Sequence, residues 1–406
     1  MATPVRGNPP RRDPLADVAA ETLGAIRGRG THRRMRVLEG AQGPRMVVDG
    51  REVLLFAGSN YLDLAHHPEV VEAAARAARD HGTAAGGSRL ITGNLALHEA
   101  LEDELAGFLG CEAALVFNTG YMANVGVIPA LAGRGDAVIS DELNHASIID
   151  GCRLAQADTL VFPHNDLDAL ADRLAQAERS HRRVLLAVDG VYSMDGDVAP
   201  LADMIGLARQ HGAMVLLDDA HGTGTLGEEG RGSGELCGVL REVDVHMGTL
   251  GKSLGSFGAF VAGSGALREL LVNVARSFIF SCALAPPAIE AARASLRVMT
   301  REPWRREQLQ ARAERLRHGL AERGISTQPS TTHIVPVVLG DNARAMRICE
   351  ALLDKGFFAQ GIRHPSVPEG TARLRITPMA SHGEAEIDAL IDALADLVSD
   401  PSPTAS

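Results

Sequence analysis

Seven short apolar segments, separated by stretches of helical periodicity, restrict the fold of this chain more than any other feature. Most of them are continuous apolar runs without alternation between apolar and polar residues, so both faces of the strands that they predict must be covered. Short buried strands that alternate with helices are typical of an α/β fold with a mostly parallel sheet and helices on both faces. The strand segments are residues 114–117, 137–140, 159–162, 184–188, 213–217, 243–247 and 258–262, and the helical segments are residues 69–81, 97–109, 166–178, 200–211 and 267–278.

The chain is predicted to divide into four regions. Residues 1–14 are rich in proline and arginine and predict a disordered tail. Residues 15–62 predict a helix capped by Asp13 and a hairpin that turns at Asp49 and Gly50. After the large α/β domain, residues 63–290, a smaller α+β domain is expected over residues 291–400. One strand of that domain alternates Arg373 and Arg375 with apolar residues.

The composition argues against several classes of protein. A net charge of −11 makes a nucleic-acid-binding surface unexpected. No apolar run approaches the roughly 18 residues of a membrane span, and the basic N-terminus lacks the apolar core of a secretory signal. The five cysteines show neither metal-ligand nor disulfide spacing. We therefore expect a cytoplasmic protein without a metal site.

Lys252 stands in an unusual place for a charged side chain. The apolar segment 243–247 runs directly into a turn that contains Gly248, Gly251 and Gly255. Burial lowers the pKa of a lysine and makes its amine a usable nucleophile. A single loop lysine is more often held in water, so a reactive role depends on the polar residues that end the neighbouring strands.

Polar residues follow four of the predicted strands at their carboxyl ends. They are Asn144-His145 after 137–140, Asp189 to Ser193 after 184–188, Asp218 to His221 after 213–217, and Thr249 with Lys252 after 243–247. The carboxyl ends of parallel strands lie along one edge of a sheet, where ligands bind. We therefore expect these side chains to share one crevice.

This set of residues suits pyridoxal phosphate. The cofactor needs a lysine for its Schiff base, an acid beside its ring nitrogen and a partner for its ring oxygen, and Lys252, Asp218 and His221 can supply them. At Gly120 the chain passes from a strand into a helix, whose free N–H groups can bind a phosphate, and Thr249 can add a hydroxyl. Each residue also has an ordinary structural alternative, as a helix cap, a packed loop histidine or a turn residue.

Two other motifs resemble nucleotide-binding sequences but lack neighbouring features that those sites require. Gly251-Lys252-Ser253 resembles the end of a nucleotide-binding phosphate loop, but His246 occupies the position of its first glycine. Residues 222–227 spell the dinucleotide fingerprint, but residues 228–234 do not predict the helix that must follow it. A nicotinamide-dependent oxidoreductase and a phosphate-loop nucleotidase remain the alternatives from other classes.

Six ordered segments match a known family. They are Ser59-Asn-Tyr-Leu-Asp63, Gly87-Ser-Arg-Leu-Ile-Thr-Gly93, Asn144-His-Ala-Ser147, Tyr192-Ser-Met-Asp-Gly-Asp197, Asp218-Asp-Ala-His-Gly-Thr-Gly224 and Thr249-Leu-Gly-Lys252. From about residue 30 to the last helix, the chain resembles the α-oxoamine synthases, a branch of the fold-type I pyridoxal-phosphate enzymes. The resemblance implies the fold-type I architecture and this cofactor.

The resemblance also implies roles for the residues around the cofactor. Lys252 would hold the cofactor and move the Cα proton, His145 would stack on the ring, and Asp218 would pair with the ring nitrogen. The ring oxygen would be contacted by His221 and Ser193, and the phosphate by Gly120, Tyr121 and Thr249.

Four further positions are implied to bind the substrates. Asn60 would lie beside the reacting centre. Arg363, in the segment that ends with Ser366, would bind the carboxylate of the amino acid, and Ser366 would lie on the same side. Arg34 would lie near the acyl substrate.

The implied reaction is a decarboxylative Claisen condensation of an amino acid with an acyl thioester, in a homodimer with shared active sites. Within the resemblance, the amino acids at residues 88–90 and 218–224 favour L-alanine and a pimeloyl thioester, on coenzyme A or a carrier protein, for biotin synthesis. Another pair of amino acid and acyl-CoA, as in the glycine C-acetyltransferases, is the alternative. Cys282 stands where the family often has a threonine that reaches the partner subunit's phosphate.

Overall fold

The structure is a computed structural model that describes residues 13–399. Its strands are β1 Leu38–Glu39, β2 Arg45–Val48, β3 Arg51–Leu55, β4 Ala113–Phe117, β5 Ala137–Asp141, β6 Asp158–Phe162, β7 Val184–Asp189, β8 Met214–Asp218, β9 Val245–Thr249, β10 Ala259–Gly263, β11 Val335–Gly340, β12 Phe357–Phe358, β13 Gln360–Ile362 and β14 Ala372–Ile376. Its helices are α1 Pro14–Gly28, α2 Pro68–His81, α3 Ala96–Leu109, α4 Gly120–Leu131, α5 Ala146–Ala155, α6 Leu167–Ser180, α7 Leu201–Gln210, α8 Ser233–Leu236, α9 Gly265–Val274, α10 Arg276–Ile279, α11 Pro286–Arg301, α12 Trp304–Glu322, α13 Asn342–Asp354 and α14 Glu384–Ser399.

Seven strands form the central sheet, in the order β4-β10-β9-β8-β7-β5-β6. The strands from β9 to β6 pair in parallel, whereas β10 is antiparallel to both β4 and β9. These are the seven predicted strands, so the mostly parallel sheet is confirmed. The register places Asp189 opposite Asp218, and Asp218 opposite Met247, at the carboxyl edge.

Both faces of this sheet are buried, as its unbroken apolar strands require. In β7, Leu185 and Ala187 join one apolar cluster, while Leu186 and Val188 join a different cluster. Alternate residues of a strand point to opposite faces, so the two clusters cover the two sides of the sheet. Burial of each leucine or valine side chain contributes about 1.5–3 kcal/mol. The residues at the strand ends therefore extend from a closely packed support.

The N-terminal hairpin pairs with a strand from the C-terminal part of the chain. The predicted hairpin forms from β2 and β3, and β3 pairs in parallel with β12. The strands β11, β14 and β13 form a separate three-stranded sheet, against which α14 packs. Residue 290 lies inside α11, which packs through Ala291 and Ala294 against α2. The four-region division of the chain stays a prediction.

Some boundaries differ from the predicted ones. Residues 1–12 of the predicted tail lie outside the described residues. Its last two residues belong to the start of α1 instead: Pro14 is the first residue of this helix. Asp13 caps it, and Asp13 Oδ1 accepts from two backbone N–H groups at 3.2 Å. The strand predicted to end at residue 247 continues to Thr249, because Gly248 and Thr249 extend the ladder with β10. The arginine-rich stretch after the large sheet forms two helices, α11 and α12, which are separated before Trp304 because Pro303 cannot donate to a continuous helix.

Among residues 13–399, no helix combines the length and the apolar content that a bilayer crossing requires.

Candidate active site

Lys252 lies in the turn after β9, at the carboxyl edge of the large sheet. Its Nζ is 2.8 Å from Nε2 of His221, in the loop that follows β8. Burial lowers the pKa of Lys252 to about 8; the charge of Asp218 opposes this shift, and that of Arg375 adds to it. About a tenth of the protein molecules therefore carry Lys252 as an unprotonated amine at pH 7, far more than for a lysine in water.

Asp218 is the last residue of β8 and is only 3% exposed. Its Oδ2 accepts from Asn124 Nδ2 at 2.7 Å, and its Oδ1 accepts from the backbone N–H of Ala220 at 3.1 Å. Both donors are uncharged. The carboxylate therefore keeps its capacity to pair with a positively charged group, such as a protonated ring nitrogen.

His145 connects to Asp218 through two intervening side chains. Its Nδ1 is 2.7 Å from Ser147 Oγ, which accepts from Asn124 Nδ2 at 2.9 Å. Burial lowers the pKa of His145, although the residue stays open to solvent on one side, and the charge of Asp218 partly offsets this shift. A neutral imidazole with one open side is suited to stack on a flat ring.

Asp189 belongs to the same cluster, as its place at a strand end predicts, although the sequence assigns it no role in the site. It ends β7 and its Oδ2 accepts from the backbone N–H of His145 at 2.6 Å. Burial, followed by the nearby charge of Asp218, raises the pKa of Asp189 well above its usual value. The signal that predicts its presence there is the same strand-end place that revealed Asp218.

His221 links Lys252 to two residues that the sequence also missed. Its Nδ1 is 2.8 Å from Tyr61 Oη, and Tyr61 Oη accepts from Arg375 Nη2 at 3.2 Å. Arg375 Nε also donates to the backbone carbonyl of Ser193 at 2.5 Å. Burial, and then the charge of Lys252, lowers the pKa of His221 well below its usual value, so its ring is neutral. Ser193 thus lies near this chain of contacts through its main chain.

The predicted phosphate side lies at the start of α4. Gly120 and Tyr121 supply the first N–H groups of this helix, which have no acceptor within the helix. Tyr121 Oη donates to Asp150 Oδ2 at 2.5 Å, and Thr249 Oγ1 donates to the carbonyl of Gly258 at 3.0 Å. The two hydroxyls thus have protein acceptors, and the main-chain N–H groups are the donors available to an anion.

Arg34, Arg363 and Ser366 lie together in a cavity of about 520 Å³, which we call the basic cavity. Its lining also contains His32, Arg33, Arg36, Leu38, Met346, Cys349, Glu350, Phe358, Gln360, Gly361 and Ile362. Arg363 donates to the carbonyl of His32, and Arg33 Nη2 donates to Ser366 Oγ at 3.5 Å. Among the described contacts none joins the basic cavity directly to Lys252. The arginine linked to the lysine is Arg375.

Asn60 is buried, and its amide holds the turn that carries Tyr61. Asn60 Oδ1 accepts from the backbone N–H groups of Leu64 and Ala65 at 3.0 and 3.1 Å. Its predicted place beside the reacting centre stays a prediction. What the structure adds is a link from Asn60 to His221 through the position of Tyr61.

The donors and charges of this site fit pyridoxal phosphate. Lys252 offers an amine, Asp218 offers a buried carboxylate without a charged partner, and the start of α4 offers main-chain donors for a phosphate. The nitrogen of the Asn124 amide donates to Asp218, and the oxygen of the same amide, Oδ1, is buried without a protein partner. Lys252 beyond one strand and Asp218 at the end of the next define a pyridoxal-phosphate enzyme of fold type I.

Comparisons with known proteins agree with this class. The chain belongs to the family of class I and II aminotransferases, which it matches over residues 51–394. It is 50% identical over 378 residues to 8-amino-7-oxononanoate synthase from Geobacter sulfurreducens, with 93% of this chain and 96% of that protein covered. It is 51% identical over 370 residues to the same enzyme from Geobacter metallireducens, with 91% and 94% covered.

A solved structure places the fold in the same branch. The serine palmitoyltransferase from S. paucimobilis, with PLP and myriocin bound, superposes with a TM-score of 0.89 at 35% identity and covers 95% of this chain and 98% of that one. Serine palmitoyltransferase is an α-oxoamine synthase, the branch that the sequence motifs predict for this chain. The predicted family, fold and cofactor are therefore confirmed.

Proposed function

We propose that this chain condenses L-alanine with a pimeloyl thioester to give 8-amino-7-oxononanoate, the thiol and carbon dioxide, a step of biotin synthesis. The observation that carries the proposal is the 50% identity to an 8-amino-7-oxononanoate synthase over 93% of the chain. Serine palmitoyltransferase shares the fold but only 35% of the residues. Residues 222–227 do not open a helix, since α8 begins only at Ser233, and this argues against the oxidoreductase alternative.

Lys252 would hold pyridoxal phosphate until the amino group of L-alanine takes its place, and the ring would then supply an electron sink for the negative charge that develops at the Cα of alanine. Asp218 would keep the ring nitrogen protonated, and His145 would pack against the ring. Lys252 Nζ takes the Cα proton and later returns one, and a pKa of about 8 suits a group that must do both near neutral pH. His221 would contact the ring oxygen.

The basic cavity orients the substrates in this proposal. Arg363 and Ser366 bind the carboxylate of alanine, and Arg34 binds the acyl substrate. Guanidinium groups suit carboxylates because they donate two parallel hydrogen bonds. Arg375 is a second candidate for the alanine carboxylate, since its charge acts directly on Lys252.

We also propose a cytoplasmic homodimer whose subunits complete each other's sites. Leu90, Ile91 and Phe280 are 50%, 79% and 70% exposed, and the bridge between Ser88 and Cys282 holds their two loops together. Exposed apolar groups of this kind mark interaction surfaces. Asn118, next to the start of α4, donates to the carbonyl of Cys282 at 2.8 Å, so this surface adjoins the phosphate side. Light scattering should give twice the chain mass, and Ile91→Asp should weaken the assembly.

The decisive assay pairs amino acids with acyl thioesters. L-alanine, glycine and L-serine should each be combined with pimeloyl-, acetyl- and palmitoyl-CoA, and with pimeloyl carrier protein. We expect the highest kcat/KM for L-alanine with a pimeloyl thioester. A higher value for L-serine with palmitoyl-CoA, or for glycine with acetyl-CoA, would overturn the substrate assignment but leave the family unchanged.

A further inference from the structure

A chain of hydrogen bonds connects a buried arginine of the three-stranded sheet with Lys252. Arg375 Nη2 donates to Tyr61 Oη over 3.2 Å, Tyr61 Oη is 2.8 Å from His221 Nδ1, and His221 Nε2 is 2.8 Å from Lys252 Nζ. Tyr61 is 0% and His221 8% exposed. Because these groups are shielded from water, each donor in the chain must find its acceptor within the protein.

The direction of the chain follows from its first member. A guanidinium can only donate, so Tyr61 Oη accepts from Arg375 and still has its own hydrogen to donate. Among the described contacts, the group that lies within reach of this hydrogen is His221 Nδ1. If Nδ1 carried a proton, two hydrogens would point at Tyr61 Oη, and the hydroxyl hydrogen would lose its acceptor.

His333 does not offer Tyr61 another acceptor. Its ring packs against the ring of Tyr61, with centroids 4.1 Å apart, but neither of its nitrogens has a hydrogen-bond partner. His333 is itself fully buried. It therefore restrains the position of the Tyr61 ring and leaves the hydroxyl to His221.

We propose that Tyr61 and Arg375 are positioning residues that hold His221 neutral, with its proton on Nε2, and thereby favour the unprotonated amine of Lys252 over its ammonium form. The Nε2–H group faces the lone pair of Lys252 Nζ, and a donor in that place opposes a further proton on the nitrogen. The inference rests on the proposed function only in taking Lys252 as the lysine that joins the cofactor.

The surrounding charges explain why such a chain matters. Asp218 and Asp189 favour the ammonium form of Lys252, whereas burial and Arg375 oppose it. His221 is faced by Lys252, Arg375, His333 and His145. Because two carboxylates favour the ammonium form, the direction of the His221 hydrogen bond helps decide which form of the lysine prevails. The amine is the form that can bond the cofactor aldehyde.

The composition of the chain makes it simple to follow the protonation of Lys252 by NMR. The sequence contains two lysines, Lys252 and Lys355, beside 38 arginines. Protein labelled with ¹³C at lysine Cε should therefore give two lysine signals, which are followed against pH in the cofactor-free protein. Lys355, whose side chain is 44% exposed, serves as the internal reference, and Lys252→Arg assigns the other signal.

In the wild type, we expect Lys252 to titrate with a pKa of about 8. Tyr61→Phe should raise this midpoint by about one pH unit, because His221 can then carry its proton on Nδ1 and accept from the ammonium. The matched control is Tyr192→Phe, which removes the hydroxyl of another buried tyrosine that has no bond to His221. That control should leave the Lys252 midpoint unchanged.

Long-range ¹H–¹⁵N spectra of the wild type test the same inference without any change to Tyr61. They should show His221 protonated at Nε2, with the signal assigned by its loss in His221→Asn. A wild-type His221 protonated at Nδ1 would overturn the inference, as would an unchanged Lys252 midpoint in folded Tyr61→Phe. Neither measurement uses substrate or cofactor, so these outcomes are independent of the proposed reaction.

Discussion

The surroundings of Lys252 and the basic cavity are built in opposite ways. Lys252, Asp218, Asp189 and His145 follow adjacent strands of one sheet, and most of their polar atoms have partners within the protein. The basic cavity combines residues 32–36 with residues 360–366, and the side chain of Arg34 is 67% exposed. We call Lys252, Asp218, Asp189 and His145 the rigid region, and this region is suited to bond making and breaking. The more open basic cavity is suited to recognising the ends of variable substrates. Changes in the first should act on kcat, and changes in the second on KM.

The largest effect should come from Lys252→Ala. Without the amine, neither cofactor attachment nor movement of the Cα proton is possible, so kcat should fall by about 1000-fold or more. Steady-state kinetics and the visible absorbance of the cofactor measure both consequences. Lys355→Ala is the matched control and should change neither. Full activity in Lys252→Ala would show that Lys252 has no part in the chemistry and would contradict the proposed difference between its surroundings and the basic cavity.

Asp218→Asn should slow the reaction by about 100-fold, because a neutral amide cannot stabilise the protonated ring nitrogen. The amide keeps the shape of the carboxylate, so the cofactor should still bind. Equilibrium dialysis against pyridoxal phosphate measures its retention, and kcat with alanine measures the chemistry. Unchanged turnover with bound cofactor would show that Asp218 has no part in ring activation.

Cofactor uptake should depend on pH through Lys252. Its pKa is lowered to about 8, so the reactive amine predominates above this pH and is lost as the pH falls through it. The initial rate of uptake by cofactor-free protein should therefore fall about tenfold from pH 9 to pH 7. Stopped-flow absorbance measures this rate. A flat profile over that range would mean that the lysine is not the titrating group.

The smallest effects should come from the basic cavity. Arg34→Gln should raise KM for the acyl thioester by no more than about fivefold and leave kcat near the wild-type value, since an exposed ion pair contributes little. Moderate salt should raise the wild-type KM as well and reduce the difference between the two proteins. A loss of kcat in Arg34→Gln that exceeds the change in KM would place this residue in the rigid region.

The sequence predicts the rigid region well because local patterns determine it. Lys252, Asp218 and His145 could be located since each follows an apolar strand, and parallel strands bring their carboxyl ends together. Asp189 shares that pattern, but it lies just outside the matching segment that begins at Tyr192, so no role could be assigned to it.

Tyr61 and Arg375 could not be found in this way. Their contact joins residues 314 positions apart, and the contact of Tyr61 with His221 spans 160 positions. The alternation around Arg375 shows that it shares a face with Arg373, but not that this face meets the catalytic lysine. Likewise, no local pattern reveals that the hydroxyls of Tyr121 and Thr249 have acceptors in α5 and beside β10. Such pairings depend on the packing of distant elements.

The most direct test of the central claim is to locate the covalent bond to the cofactor. Protein loaded with pyridoxal phosphate is reduced with borohydride, digested and analysed by mass spectrometry, and its two lysines make the result easy to read. We expect the added mass on the peptide that contains Lys252, with Lys355 unmodified. Label on Lys355 alone, or on neither lysine in protein that turns over substrate, would contradict the assignment of this site.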